Sequence, residues 1–214
     1  MWRRTNNNLS KNFVFSTALL CFTPLAQATV ISCQGANPPL KALCAASFKA
    51  LRQQFENRYL TAHLISDAPT RLLVDTQQMW LKRTQQCQSK RCYQQQAEQR
   101  IDEFNSYIVL NQSLTQHYLK VTHGRLSTAP VHLKVHQLTK DSIKIEGMAY
   151  RNPNNRPEQQ AVSLLAYTTP QEKHRIVDNE HDCHYEMSYS KAILVVKTEQ
   201  KGCERFSGVY RLYD

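Results

Sequence analysis

A change of hydrophobic period near Ser113 constrains this chain more than any other feature: apolar residues recur at three- and four-residue steps before it and at two-residue steps after it. Helices place residues i, i+3 and i+4 on one face and strands place i and i+2 on one face, so the two halves require different elements. In the first half, Leu40, Leu43, Cys44, Phe48, Leu51, Phe55, Tyr59 and Ala62 predict a helix of about six turns, opened by Pro38-Pro39. Asp67-Ala68-Pro69 breaks it, and a second helix runs through Leu72, Leu73, Thr76, Trp80 and Arg83 towards Cys87. A third turns Tyr93, Ala97, Ile101, Phe104 and Ile108 inward, with Gln94, Gln95, Glu98, Gln99 and Asp102 towards solvent. In the second half, Val131, Leu133 and Val135 alternate with His132, Lys134 and His136, and Ile143 and Ile145 with Lys144 and Glu146. Further strand signals at 162–167, 174–177, 183–189, 192–198 and 205–213 complete an antiparallel meander, with a polar loop over residues 152–157. The expected fold class is α+β: a disulfide-tied three-helix bundle over residues 29–112, then a small antiparallel β-sheet or barrel over residues 118–214.

Residues 1–28 read as a cleavable signal peptide. Arg3, Arg4 and Lys11 precede the apolar run Phe13 to Phe22, and Ala26-Gln27-Ala28 supplies small residues for cleavage. That run is too short to span a hydrocarbon core of about 30 Å, and no later apolar run is longer. Lipid anchoring at Cys21 is disfavoured because Leu19-Leu20, not a small residue, precedes it. The mature chain is therefore expected outside the cytoplasm, in the periplasm, with no transmembrane helix.

Loss of the leader removes Cys21 and leaves Cys33, Cys44, Cys87, Cys92, Cys183 and Cys203. An even number in an oxidising compartment predicts three disulfides, and the preferred set is local: Cys33 with Cys44, Cys87 with Cys92, Cys183 with Cys203. A rival zinc site would use Cys87 and Cys92 with His181 and His184, although the spacing is loose and the thiols would have to escape oxidation. Without its three leader cations the chain keeps 24 of 27 Lys and Arg against 17 Asp and Glu, a net charge of +7. Such a surface favours acidic partners, whether proteins or anionic envelope glycans and lipids; a nucleic-acid partner is not expected.

The helical half carries Cys33 and Cys44, Tyr59, Gln77-x-x-Trp80-Leu81, Cys87, Cys92 and Arg100-Ile101. This pattern resembles the N-terminal domain family of LprI-type lysozyme inhibitors over residues 33 to 104, less than half of the mature chain. The family usually places an Arg four residues after the Trp; here Thr84 stands there and Arg83 comes one place early. The resemblance implies a secreted envelope protein that inhibits lysozyme or another peptidoglycan-degrading hydrolase. The strand half, ending Cys203-x-x-Phe206-Ser207-Gly208-Val209-Tyr210, is similar in outline to small cystine-bearing barrels of other envelope proteins.

No phosphate loop, nucleophile elbow or H-E-x-x-H motif is present, so neither catalysis nor a cofactor is expected. His132 with His136, or His181-Asp182-Cys183-His184, could share a metal, but solvent-facing side chains are the favoured reading. Trp80 is expected in the core with Leu73 and Thr76. Lys82, Arg83, Lys90 and Arg91 lie beside or within the Cys87–Cys92 segment and form the candidate contact surface, because a disulfide-held basic loop can enter an acidic hydrolase cleft and pair with its carboxylates. Animal-type lysozymes are themselves cationic, and a +7 partner would be repelled at long range. A neutral or acidic bacterial hydrolase, or a cell-wall toxin delivered by a competitor, fits the charge equally well. A non-inhibitory envelope-binding module is the alternative from a different class.

Overall fold

The computed structural model describes residues 31–33 and 40–213. Residues 1–28, expected to be a leader, and the Pro38-Pro39 pair lie outside the described residues. Within them the protein is a mixed α and β structure, with helices preceding a nearly closed antiparallel barrel.

The Leu40–Ala62 stripe is not one helix. Two 3₁₀ turns, Lys41–Cys44 and Ala46–Phe48, precede helix α1 (Lys49–Ile65). Ala45 between them is extended, with ψ of 149°, and the Cys33–Cys44 disulfide ties this end back. Arg52 covers the freed carbonyls of Leu43 and Ala45, donating from Nη1 to the latter at 3.0 Å. Helix α2 (Thr70–Thr84) and helix α3 (Lys90–Val109) follow. α3 starts inside the interval between Cys87 and Cys92, where Ser89 caps it by accepting from the Cys92 N–H at 3.2 Å; this segment is a helix entry, not a free loop. Phe55, Trp80 and Phe104 meet where the helices converge, with ring centroids 4.7 Å apart for Phe55–Trp80 and 5.5 Å for Phe55–Phe104. Trp80 is buried, and its indole N–H donates to the Gln96 carbonyl at 2.7 Å, so it belongs to the core.

Nine antiparallel strands follow: β1 (Thr115–Thr122), β2 (Arg125–Leu126), β3 (Val131–Thr139), β4 (Ser142–Tyr150), β5 (Ala161–Thr168), β6 (Arg175–Val177), β7 (His184–Ser190), β8 (Ile193–Lys197) and β9 (Gly208–Tyr213). Their order is β5-β4-β3-β1-β9-β8-β7-β6, because β9 returns to pair with β1, Leu119 opposite Arg211. The two end strands are consecutive in sequence, and the segment after β6 crosses the seam. There Asn179 N–H donates to the Leu165 carbonyl at 2.7 Å, and the buried Asp178 carboxylate accepts from Leu165 N–H at 3.0 Å. Leu133, Ile145, Leu164, Leu194, Phe206 and Tyr210 fill the interior. At Gly147 a Cβ would stand 2.7 Å from Phe206 and 2.8 Å from Leu133, so only glycine lets β4 approach them.

β1 is buried on both faces: Tyr118 points into the barrel, whereas Leu119 joins Tyr213 in the helical core. The helices thus cover the outer side of β1 and β9, and this contact places the polar groups described next.

Candidate functional site

Among the described residues three disulfides are formed: Cys33–Cys44, Cys87–Cys92 and Cys183–Cys203, with Cα–Cα distances of 5.6, 5.5 and 5.8 Å. The zinc alternative fails at Cys87 and Cys92, whose sulfurs bond each other and offer no thiolate. Cys183 is likewise consumed by Cys203.

The four candidate contact cations separate. Lys82, on the last turn of α2, is exposed. Arg83, its neighbour, turns inward and is 6% exposed, which removes it from any free surface. Its guanidinium donates to the side-chain oxygens of Gln96 and Gln99, to the Arg151 carbonyl at 3.3 Å and to the Gln160 carbonyl at 3.2 Å. It also lies 4.6 Å above the Tyr150 ring. Successive residues on a helix are about 100° apart, so Lys82 faces solvent when Arg83 faces the barrel. Lys90 and Arg91 are exposed in the first turn of α3. Their turn is fixed by the Cys87–Cys92 bridge and by Asn154, whose side chain accepts from Gln88 N–H and donates to the Gln86 carbonyl, both at 2.9 Å.

Between helices and barrel lies a polar layer that the apolar pattern hides. Gln96 Nε2 donates to Gln160 Oε1 at 3.1 Å, and Gln160 Nε2 donates to the Asn155 carbonyl at 3.0 Å. Arg100, fully buried, donates to Thr76 Oγ1 at 2.9 Å and Gln77 Oε1 at 3.1 Å and pairs with Glu103, which also accepts from the Tyr150 hydroxyl. Burial raises the Tyr150 pKa well above its ordinary value, and the Glu103 charge adds to the effect. Gln99, expected towards solvent, is partly buried on Arg83. The sequence signal was present: Gln96, Arg100 and Glu103 follow four- and three-residue steps beside the apolar stripe, widening the inward face of α3.

The histidines of β3 are partly exposed rather than fully solvent-facing. His132 Nε2 lies 3.0 Å from Nδ1 of His117 on β1, and His117 Nε2 lies 2.8 Å from Gln112 Oε1. His136 meets the Thr115 hydroxyl at 2.8 Å. Burial, then the charges of Lys134 and His136, push the His117 pKa down to about 3. Burial, His117, Lys134 and Arg100 hold His132 well below its usual range. The cavity at this junction, lined by Arg83, Arg100, Glu103, His132 and Tyr150, measures about 30 Å³. That is room for about one water molecule and no substrate.

Asp178, Glu180 and His181 bring ligand atoms within 4.8 Å of one another. The Asp178 carboxylate already accepts from Leu165 N–H, Glu180 N–H and His181 Nδ1, the last at 2.7 Å, so its hydrogen-bonding capacity holds the barrel seam. Compared with known proteins, the chain matches no family model, no curated protein and no solved structure. The likeness to LprI-type domains rests on the sequence pattern of the cysteines, Tyr59, Gln77-x-x-Trp80-Leu81 and Arg100-Ile101 alone.

Proposed function

We propose that this is a secreted periplasmic protein that acts by binding, and that it inhibits lysozyme or another peptidoglycan-degrading hydrolase by occluding its cleft. One observation carries the reading: Lys90 and Arg91 stand exposed on a turn held by the Cys87–Cys92 disulfide and by hydrogen bonds to Asn154 of the barrel. A held turn loses little conformational freedom on docking, and a desolvated guanidinium facing a carboxylate forms the stronger class of hydrogen bond. Arg156 lines the same concavity as Arg91, together with Glu158. The leader pattern and three disulfides support export to an oxidising compartment.

The expected net charge of +7 directs the choice of target. A neutral or acidic hydrolase, including a toxin delivered by a competing cell, associates faster with this surface than a cationic lysozyme does. The test is hydrolase activity against increasing amounts of mature, oxidised protein: dose-dependent inhibition of at least one member of a panel is expected, and a panel left fully active at micromolar protein overturns the proposal. A second reading, a non-inhibitory envelope-binding module, is favoured by a separate basic groove.

A further inference from the structure

That groove lies between α2 and the barrel and has a volume of about 460 Å³, within the roughly 300–1,000 Å³ common for small-molecule sites. Lys82, Arg151 and Arg205 line it together with the inward Arg83, and no acidic side chain does. Met79, Pro130 and Tyr150 form apolar wall, while Gln78, Asn152 and Ser127 present amide and hydroxyl groups. The side chains of Lys82 and Arg151 are exposed and make no hydrogen bond or ion pair among the described residues. Arg205 donates from Nη2 to the Tyr150 carbonyl, but its buried Nε has no acceptor among the described residues. Burial, then the neighbouring Arg151 charge, holds the Arg205 pKa below its ordinary value. Four cations around one concavity repel one another, so an anion seated here relieves that repulsion.

We infer that the groove binds an anionic saccharide, with Lys82, Arg151 and Arg205 holding its carboxylate or phosphate and the amides and hydroxyls holding its ring hydroxyls. Each feature excludes an alternative. An anionic lipid surface would favour a convex basic face with protruding apolar side chains, and a free inorganic anion would use neither the apolar wall nor the neutral polar rim. The inference rests on the envelope location proposed above, and requires no hydrolase partner.

The experiment is calorimetric titration of the mature, oxidised protein with four probes: a wall disaccharide bearing a free carboxylate, its amidated neutral counterpart, a sugar-phosphate oligomer, and inorganic phosphate. The expected result is binding of the carboxylate or the phosphate saccharide, the anionic group at fault being identified by which of the two binds. Binding should be about tenfold or more weaker for the neutral sugar and for Lys82→Glu/Arg151→Glu, in line with charge-assisted hydrogen bonds. Neither substituted side chain supports the fold, and an unchanged thermal unfolding midpoint checks this. Lys90→Glu/Arg91→Glu should bind the saccharide as the parent does, which separates failure here from failure of the hydrolase reading. Equal binding of the neutral sugar, binding of inorganic phosphate alone, undiminished binding by Lys82→Glu/Arg151→Glu, or no binding of either anionic saccharide overturns the inference.

Discussion

His117 and His132 face each other beneath the helices, and both are held neutral by burial and by surrounding cations. In the unfolded chain each titrates near the ordinary value of about 6.5, whereas folded His117 titrates near about 3. Between these values the unfolded state binds more protons, so stability is complete above about pH 6.5 and falls as the pH drops towards 3. Urea unfolding followed from pH 7 to pH 4 should show this loss, and His117→Asn/His132→Asn should show a shallower one; an equal slope in both proteins would assign acid sensitivity to other groups. Lys82 and Arg83 are a second lesson at this scale. As sequence they are a basic pair, but the partners that draw Arg83 inward, Gln96 on α3 and the carbonyls of Arg151 and Gln160 in the barrel, are distant along the chain and leave no local signature. His117 was hidden for a different reason: its partners Gln112 and His132 are near in the chain, but its strand is buried on both faces and shows no alternation.

At the scale of elements, each disulfide acts on the loop it closes. The Cys183–Cys203 bridge spans 20 residues and links the entry of β7 to the turn before β9, whereas Cys87–Cys92 spans 5 and fixes one helix entry. In the chain-entropy account, replacing Cys183 and Cys203 by alanine costs about 3 kcal/mol, and replacing Cys87 and Cys92 costs less because the closed loop is shorter. Chemical denaturation of both double variants measures the difference; a larger loss for Cys87→Ala/Cys92→Ala would contradict the ordering. Strand positions in the second half were legible because alternation needs only one apolar face, as in β3 and β4. β1 carries no such signal, because Tyr118, Leu119 and His117 are buried on two faces and give no alternation. The apolar spacing does not show where α1 starts, because it continues through Ala45, where the backbone is extended and the Cys33–Cys44 bridge constrains the chain.

For the whole molecule, the polar layer makes helices and barrel interdependent. Separating them would expose Arg100 and strip Glu103 of the Tyr150 hydroxyl, and buried charged groups are costly to leave without partners. Trp80 is the only tryptophan after residue 28 and reports on the helices, so its fluorescence and the amide exchange of β4 and β7 in urea should give coincident transitions. Separate midpoints would show two independent units. The layer also leaves Lys90 and Arg91 on a turn anchored to both the helices and the 152–155 loop.

The most direct test of the binding account is inhibition of a peptidoglycan-degrading hydrolase by three proteins: the mature parent, Lys90→Glu/Arg91→Glu, and the groove variant Lys82→Glu/Arg151→Glu. The account predicts dose-dependent inhibition by the parent and by the groove variant, and its loss in Lys90→Glu/Arg91→Glu. Inhibition that survives reversal of both turn charges would contradict it.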